Sequence, residues 1–173
     1  ETAINELGGH AINLASDSVQ MGRRESVSDV AKNLERWVHL LIVRTFRHET
    51  LTQLADSCSI PIINALTDTD HPCQALALGL TLHERFGSSR DRAIVFIGDG
   101  NNVCHALMIL AAKLGYDFVA ACPRGYEPKP GIVTSCQEFA RRRGKRCEVS
   151  SDPAVAVRGA GVIYTDVWAS MGQ

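Results

Sequence analysis

Short apolar segments alternate with amphipathic segments along most of this chain, and this alternation strongly limits its possible folds. Residues 38–43, 60–65 and 93–97 have the near-continuous apolar character of buried strands, and each precedes a segment with helical character. Three later strands are predicted at 118–121, 147–149 and 162–165. Parallel strands need a crossover of about a dozen residues, which a helix usually supplies. The alternation therefore predicts an α/β fold built on parallel sheets.

The spacing of these segments predicts two doubly wound, Rossmann-like halves. The break between them is at 87–91, where Gly-Ser-Ser-Arg-Asp has the composition of a linker. We expect a first domain at 1–74, an interdomain helix and linker at 75–90, and a second domain at 91–173. At 173 residues the chain has enough length for two small domains or one large one.

Three more elements are predicted before residue 37. Residues 1–7 have the pattern of a helix end, which Gly8-Gly9 stops. A short strand is predicted at 11–14. A helix is predicted at 29–36, capped by Ser26 or Ser28.

A polar turn separates the strand at 60–65 from the helix at 75–86. His71 and Gln74 end this turn, three residues apart, so they share a face if both lie in the first helical turn. Pro72 suits the first helical position because its missing N–H is not needed there. The turn before a helix N-terminus is a common place for a small anion. The simpler interpretation is that His71 caps the helix and Gln74 faces water.

The overall charge does not indicate a nucleic-acid or membrane partner. The formal net charge is -1, which provides no electrostatic basis for binding nucleic acid or a membrane surface. The basic run at 141–146 is most simply a solvated helix end, where cations suit the helix dipole.

The cysteines indicate a reducing compartment. All six lack a CxxC partner and most lie in apolar segments, as reduced core cysteines do. No apolar run reaches the roughly 18 residues of a membrane span, and no signal-peptide pattern is present. We therefore expect a cytoplasmic location.

Polar residues follow the predicted strands at their carboxyl ends, where ligands bind in open α/β sheets. In the first half these are Arg44, His71 and Gln74, which suit an anionic ligand with a carbonyl group. In the second half they are Asn102, Asp166 and Ser170, which suit an amino group. Bringing an anionic electrophile up to an amine is the arrangement of a group-transfer enzyme.

Simpler roles exist for most of these residues. Arg44 can pair with a surface carboxylate, Asn102 can be only a helix cap, and Asp166 and Ser170 can be turn residues. The remaining histidines lack partners at ligand spacing, so structural or surface roles are expected for them. These are His10, His39, His48, His83 and His105.

A dinucleotide site is disfavoured. Gly98 and Gly100 follow a strand, but the third glycine of the GxGxxG fingerprint would fall at Val103. The acidic residue expected after the second strand is replaced by Cys122-Pro123-Arg124.

Four motifs together resemble the ornithine branch of the aspartate/ornithine carbamoyltransferase family. They occur in register over the whole chain as HPCQ at 71–74, GDGNN at 98–102, GYEP at 125–128 and DVWASMGQ at 166–173. The resemblance implies transfer of a carbamoyl group from carbamoyl phosphate to the side-chain amine of L-ornithine, giving L-citrulline and phosphate. It implies no metal and no organic cofactor.

The resemblance also implies roles for single residues. Arg44 and His71 would contact the carbonyl oxygen of carbamoyl phosphate, Gln74 its amide, and Gln20 would be a further contact. The ornithine contacts would be Asn102, Asp166, Ser170 and Met171. Under the same resemblance the first domain would bind carbamoyl phosphate and the second ornithine. Family members form trimers, with the loop around Gln20 reaching a neighbouring subunit, so a homotrimer is expected.

Two departures from the family pattern bear on activity. The Ser-Thr-Arg-Thr-Arg phosphate motif expected just before Glu1 is absent, as is the His-Cys-Leu-Pro loop expected after Gln173. We therefore expect these 173 residues alone to be catalytically poor. The alternatives are a ligand-binding or assembly module without turnover, and carbamoyl transfer to another amine such as putrescine.

Overall fold

The computed structural model describes residues 1–15, 19, 21–22 and 24–167. Over these residues the helices are α1 (Thr2–Glu6), α2 (Val27–Leu34), α3 (His48–Ser57), α4 (Pro72–Phe86), α5 (Asn102–Leu114), α6 (Pro130–Arg142) and α7 (Pro153–Ala156). The strands are β1 (Leu41–Arg44), β2 (Ile62–Leu66), β3 (Ala93–Ile97), β4 (Phe118–Ala121), β5 (Cys147–Ser150) and β6 (Ala160–Thr165). No helix in this part of the chain is both long and apolar enough to cross a membrane.

The strands form two sheets, and the predicted parallel α/β fold is confirmed. β1 and β2 form a two-stranded sheet, and the other four strands are ordered β5-β4-β3-β6 with parallel pairing. From β3 the chain builds outward through β4 to β5 and then returns to β6 on the other side of β3. The carboxyl ends of β3 and β6 therefore flank a topological switch point, where open α/β sheets bind ligands.

The chain divides into two compact units. Unit 1 comprises residues 1–41 and 52–62, and unit 2 comprises residues 42–51 and 63–173. This division follows packing contacts, and the domain boundaries predicted at 74 and 91 stay predictions.

In unit 1, helix α2 begins at Val27, two residues before the predicted start at Asp29, and one of the two predicted caps is used. Ser26 is the cap, and its hydroxyl accepts the Asp29 N–H at 3.1 Å. Val30 and Ala31 are buried on the inner face. At the other end the Glu35 carboxylate accepts from the Ser59 N–H at 2.9 Å and from its hydroxyl at 3.0 Å. These hydrogen bonds lower the pKa of Glu35.

In unit 2, the core lies between the four-stranded sheet and the helices that cover it. Phe96 and Phe118 on the central strands are fully buried. Helix α5 is buried on most of its surface because it contacts both α4 and α6. Asn101 caps α5, and Gly115 ends it in the left-handed conformation at φ 81°.

Two strand predictions in the first part of the chain are corrected. Residues 11–14 form no strand, and Ile12 is 62% exposed. β1 begins at Leu41 instead of residue 38, and its side chains alternate between half-buried and exposed. The physical reason is pairing: among the described residues β1 has one neighbour, β2, so neither strand has the two-sided burial that a continuous apolar run suggests.

The cysteines behave as the composition predicts. All six are free, and Cys104, Cys122, Cys136 and Cys147 are buried. Burial raises the pKa of Cys136 to about 11 and that of Cys147 to about 12. These two thiols stay protonated and unreactive at neutral pH.

Candidate functional site

The turn at residues 67–70 organises the candidate site. It follows β2 and leads directly into α4. The Thr67 N–H donates to the Asp70 carbonyl at 2.9 Å, and the Thr67 hydroxyl accepts the Asp70 N–H at 3.2 Å. Thr67 is fully buried. The turn therefore has its own closed set of hydrogen bonds, which fixes where His71 leaves it.

The end of β1 is bonded to this turn. The Thr45 N–H donates to the Leu66 carbonyl at 3.0 Å, and the Asp68 N–H donates to the Phe46 carbonyl at 2.7 Å. The His48 N–H also donates to the Asp68 carboxylate, at 3.1 Å. Arg44, the last residue of β1, immediately precedes these bonds. Its backbone is consequently held next to the 67–70 turn.

Helix α5 and residue 129 hold the same turn. The Asn102 side-chain amide donates to the Thr67 carbonyl at 2.6 Å. His105 Nδ1 lies 2.9 Å from the Thr69 carbonyl, and Lys129 Nζ donates to the Thr69 hydroxyl at 2.9 Å. These three contacts tie Asn102, a predicted ornithine contact, and two residues later in the chain to the turn that precedes His71.

The first turn of α4 shows how His71 and Gln74 are placed. Pro72 occupies the predicted first position, and His71 is the N-cap residue, although its side chain makes no capping hydrogen bond. Gln74 is half-buried, and its amide donates to the Tyr164 hydroxyl at 2.8 Å. Gln74 is therefore held by a specific partner on β6.

His71 has an unusual electrostatic setting. Burial, followed by the Arg44 guanidinium, lowers the pKa of His71, and the Asp166 and Asp70 carboxylates act against that shift. The imidazole is therefore neutral at pH 7. Among the described residues its Nδ1 atom is buried without a hydrogen-bond partner. The charges of Arg44 and Asp166 thus both act on His71.

The loop after β3 places Asn101 and Asn102, and Asn101 contacts Asp166 at the end of β6. Asn101 is the helix cap, since its side-chain oxygen accepts the Val103 and Cys104 N–H groups, each at 3.0 Å. Its amide nitrogen donates to the Asp166 carboxylate at 3.3 Å. Asn102 is the first residue of α5, so the alternative that Asn102 serves only as the cap is wrong.

A cavity of about 380 Å³ opens at the carboxyl ends of β3 and β4. Its lining residues are Ile97, Gly98, Asp99, Ala121, Cys122, Pro123, Tyr126, Ser151, Pro153, Asp166 and Val167. The walls are mainly apolar, with Asp99 and Asp166 contributing carboxylates. This composition suits an aliphatic ligand that carries a positively charged amino group.

Three of the predicted site residues lie outside the described residues: Gln20, Ser170 and Met171. The structure brings the other five, Arg44, His71, Gln74, Asn102 and Asp166, around the 67–70 turn and the switch point. Within the described ranges, no group of three or more histidine, cysteine or acidic side chains is arranged to hold a metal ion.

Sequence reasoning missed the supporting residues Thr67, Asn101 and Tyr164. Asn101 could have been predicted as a helix cap, because an asparagine two positions before Val103 also fits a capping pattern. No local sequence pattern indicated the roles of Thr67 and Tyr164, since their partners are distant in sequence. His105 was expected to be structural, and its burial and two backbone contacts confirm this.

His105 makes the stability of unit 2 depend on pH. Its Nε2 accepts the Lys129 N–H at 3.0 Å, so the neutral ring carries its proton on Nδ1 and donates to Thr69. Burial lowers the pKa of His105 from 6.5, and Lys129 adds to the shift, whereas the Thr69 hydrogen bond, Asp70 and Asp99 oppose it. The unfolded chain therefore binds this proton at a higher pH than the folded protein does.

We expect the free energy of unfolding to fall as the pH drops below the unfolded pKa of about 6.5. Urea unfolding of the full-length protein between pH 5 and pH 8 measures this. In His105→Gln the dependence should flatten and the stability at pH 8 should fall. His83→Gln, on an exposed position of α4, is the matched control and should keep the original slope. An unchanged slope in His105→Gln would contradict the assignment.

Comparison with known proteins identifies the family. Residues 1–84 match the model described as "Aspartate/ornithine carbamoyltransferase, carbamoyl-P binding domain", and residues 90–173 match "Aspartate/ornithine carbamoyltransferase, Asp/Orn binding domain". The ornithine carbamoyltransferase of Anoxybacillus flavithermus is 47% identical over 173 residues, covering 100% of this chain and 55% of that protein.

Solved structures agree with the sequence matches. Ornithine carbamoyltransferase from Pyrococcus furiosus superposes with a TM-score of 0.96 at 44% identity, covering 100% of this chain and 55% of that one. The anabolic enzyme from Campylobacter jejuni gives a TM-score of 0.94 at 36% identity, covering 99% and 57%. The chain thus spans about half the length of the relatives it matches. With both domain models matched in order along nearly all its length, it belongs to the aspartate/ornithine carbamoyltransferase family.

Proposed function

We propose that the full-length protein transfers the carbamoyl group of carbamoyl phosphate to the side-chain amine of L-ornithine, giving L-citrulline and phosphate. This chain spans about half the length of its relatives, so the proposal concerns the full-length protein and not these 173 residues alone. The ornithine carbamoyltransferase names of the sequence and structural relatives support this choice of amine.

One observation carries the proposal. The residues expected to bind the electrophile and those expected to bind the amine share one hydrogen-bonded framework. Asn102 bonds the 67–70 turn that positions His71, and Asn101 bonds Asp166. The pKa of His71 responds to both Arg44 and Asp166. This proximity supports a site in which two substrates meet.

On the electrophile side, Arg44 and His71 would act on the carbonyl oxygen. Attack of an amine on the carbonyl carbon builds negative charge on that oxygen. The Arg44 cation and an N–H of the neutral His71 ring would stabilise the charge, an oxyanion-hole effect worth about 3–4 kcal/mol per donor in other enzymes. Gln74 would bind the amide of the carbamoyl group, and Gln20, by resemblance, would be a further contact.

On the amine side, Asp166 would orient the ornithine with Asn102, Ser170 and Met171. The new N–C bond forms as the amine lone pair attacks, and the C–O bond to phosphate breaks with its electron pair leaving on phosphate. The amine loses one proton, which the departing phosphate takes up, so the products are the neutral carbamoylated amine and hydrogen phosphate. The mainly apolar cavity beside Asp166 would accommodate the aliphatic chain. Holding both substrates in this arrangement supplies the proximity term of catalysis.

An assay of the full-length protein with four amines tests the proposal. Citrulline formation with L-ornithine should far exceed transfer to putrescine, N-acetylornithine or aspartate. A preference for one of the other amines would replace the substrate assignment. Binding of carbamoyl phosphate without transfer to any amine would favour the alternative of a ligand-binding module.

We also propose a cytoplasmic homotrimer. The free cysteines support a reducing compartment. The resemblance to a family whose members form trimers supports the trimeric state. The molar mass of the full-length protein in solution should equal three subunits or a multiple of three, and a monomer at micromolar concentration would contradict this proposal.

A further inference from the structure

Tyr164 on β6 contacts the side chain of Gln74 on α4. The two residues are 90 positions apart, and the Gln74 amide nitrogen donates to the Tyr164 hydroxyl at 2.8 Å. Both side chains are half-buried. A hydrogen bond of this length between two partly desolvated groups restricts the rotamer of the glutamine.

The tyrosine is itself well fixed. Tyr164 pairs with Phe96 in the β3–β6 register, and their rings stack with centroids 6.4 Å apart and planes 21° apart. Phe96 has no exposed surface. Because the phenol ring rests on a buried neighbour of the central strand, its hydroxyl presents a constant position to α4.

The chemistry of an amide gives this contact a consequence for selectivity. A glutamine has a donor end and an acceptor end, and Tyr164 engages the donor end. The acceptor oxygen then remains for a ligand. Carbamoyl phosphate carries an NH₂ group, which needs an acceptor, whereas acetyl phosphate carries a methyl group at the same place and offers no donor.

We propose that Tyr164 is a positioning residue that orients the Gln74 amide so that its oxygen accepts from the carbamoyl NH₂, and thereby favours carbamoyl over acetyl phosphate. This inference rests on the proposed function, since it assigns Gln74 to the carbamoyl group. Tyr164 acts through Gln74 and does not itself contact the substrate.

Tyr164→Phe in the full-length protein tests the inference, because it deletes the hydroxyl and keeps the ring stack. Carbamoyl phosphate affinity, measured by calorimetry, should fall about three- to tenfold, as expected for one lost hydrogen bond. Acetyl phosphate affinity should change by less than about twofold, since the methyl group makes no such bond. The ratio of the two affinities distinguishes this role from a general loss of structure, because a general loss would weaken the binding of both anions alike.

Two comparisons sharpen the test. Tyr116→Phe removes the same hydroxyl from a buried tyrosine elsewhere in unit 2 and should leave the preference unchanged. In a Gln74→Ala background, Tyr164→Phe should cause no further loss, because the two residues act as one unit. Equal weakening of both anions, an unchanged preference, or additive losses in the double variant would overturn the role of Tyr164. Absence of citrulline formation by the unsubstituted protein would instead count against the proposed function.

Discussion

Replacing His71 with alanine in the full-length protein should lower kcat for carbamoyl transfer about 100- to 1000-fold, the cost of one oxyanion donor in other enzymes. Burial and Arg44 lower the pKa of His71, so the ring is neutral and able to donate an N–H to a carbonyl oxygen. Its Nδ1 atom has no partner among the described residues, so its removal breaks no structural hydrogen bond there. Steady-state assays at saturating carbamoyl phosphate and ornithine would measure the loss.

The control for this experiment is His83→Ala. His83 lies on the same helix, α4, at an exposed position, and should retain the unsubstituted rate. Thermal unfolding of both variants should stay close to that of the unsubstituted protein, which separates a catalytic loss from a folding loss. A His71→Ala enzyme with undiminished kcat would remove His71 from the electrophile site.

Gly100→Ala should destabilise the protein by about 3 kcal/mol, near the upper end for forced overpacking. The Gly100 N–H donates to the Tyr126 carbonyl at 2.8 Å, which brings the two backbones together. A Cβ at Gly100 would come within 2.5 Å of the Glu127 carbonyl carbon and closer still to the Pro128 nitrogen. These are backbone atoms, so no side-chain rotation relieves the clash. Urea unfolding would measure the effect.

Gly131→Ala is the matched control. Gly131 lies in helix α6, and a Cβ there would meet nothing within 4 Å. Alanine should stabilise this helix by about 0.5–1 kcal/mol, since glycine is the weaker helix former. If Gly100→Ala were as stable as Gly131→Ala, the close packing of the GDGNN and GYEP segments would be refuted.

The elements of unit 2 were the most predictable from the sequence. β3 and β4 have the predicted bounds, since a short apolar run flanked by polar turns leaves few other options for a central strand. The same rule, that a short apolar run predicts a strand, gave a wrong prediction at 11–14. An apolar run becomes a strand only when another strand pairs with it, and residues 11–14 have no such partner in the described chain.

The candidate site shows the same limit at the level of side chains. Arg44, His71 and Gln74 were selected because they follow strands or open a helix, and the structure brings them to the 67–70 turn. The simpler roles for His71 and Gln74 were equally compatible with their local sequence. The structure adds what the local sequence lacked: His71 is the N-cap residue without a side-chain capping bond, and Gln74 bonds Tyr164.

Local order along the chain was enough to establish the α/β class, most strand positions and the residue types gathered at the strand ends, because periodicity and turn chemistry are properties of neighbouring residues. Tertiary structure alone decided that Asn102 and His105 bond the 67–70 turn and that Gln74 bonds Tyr164. Those contacts join residues 35 to 90 positions apart. No local pattern encodes them, since they exist only once the sheet and its helices have packed.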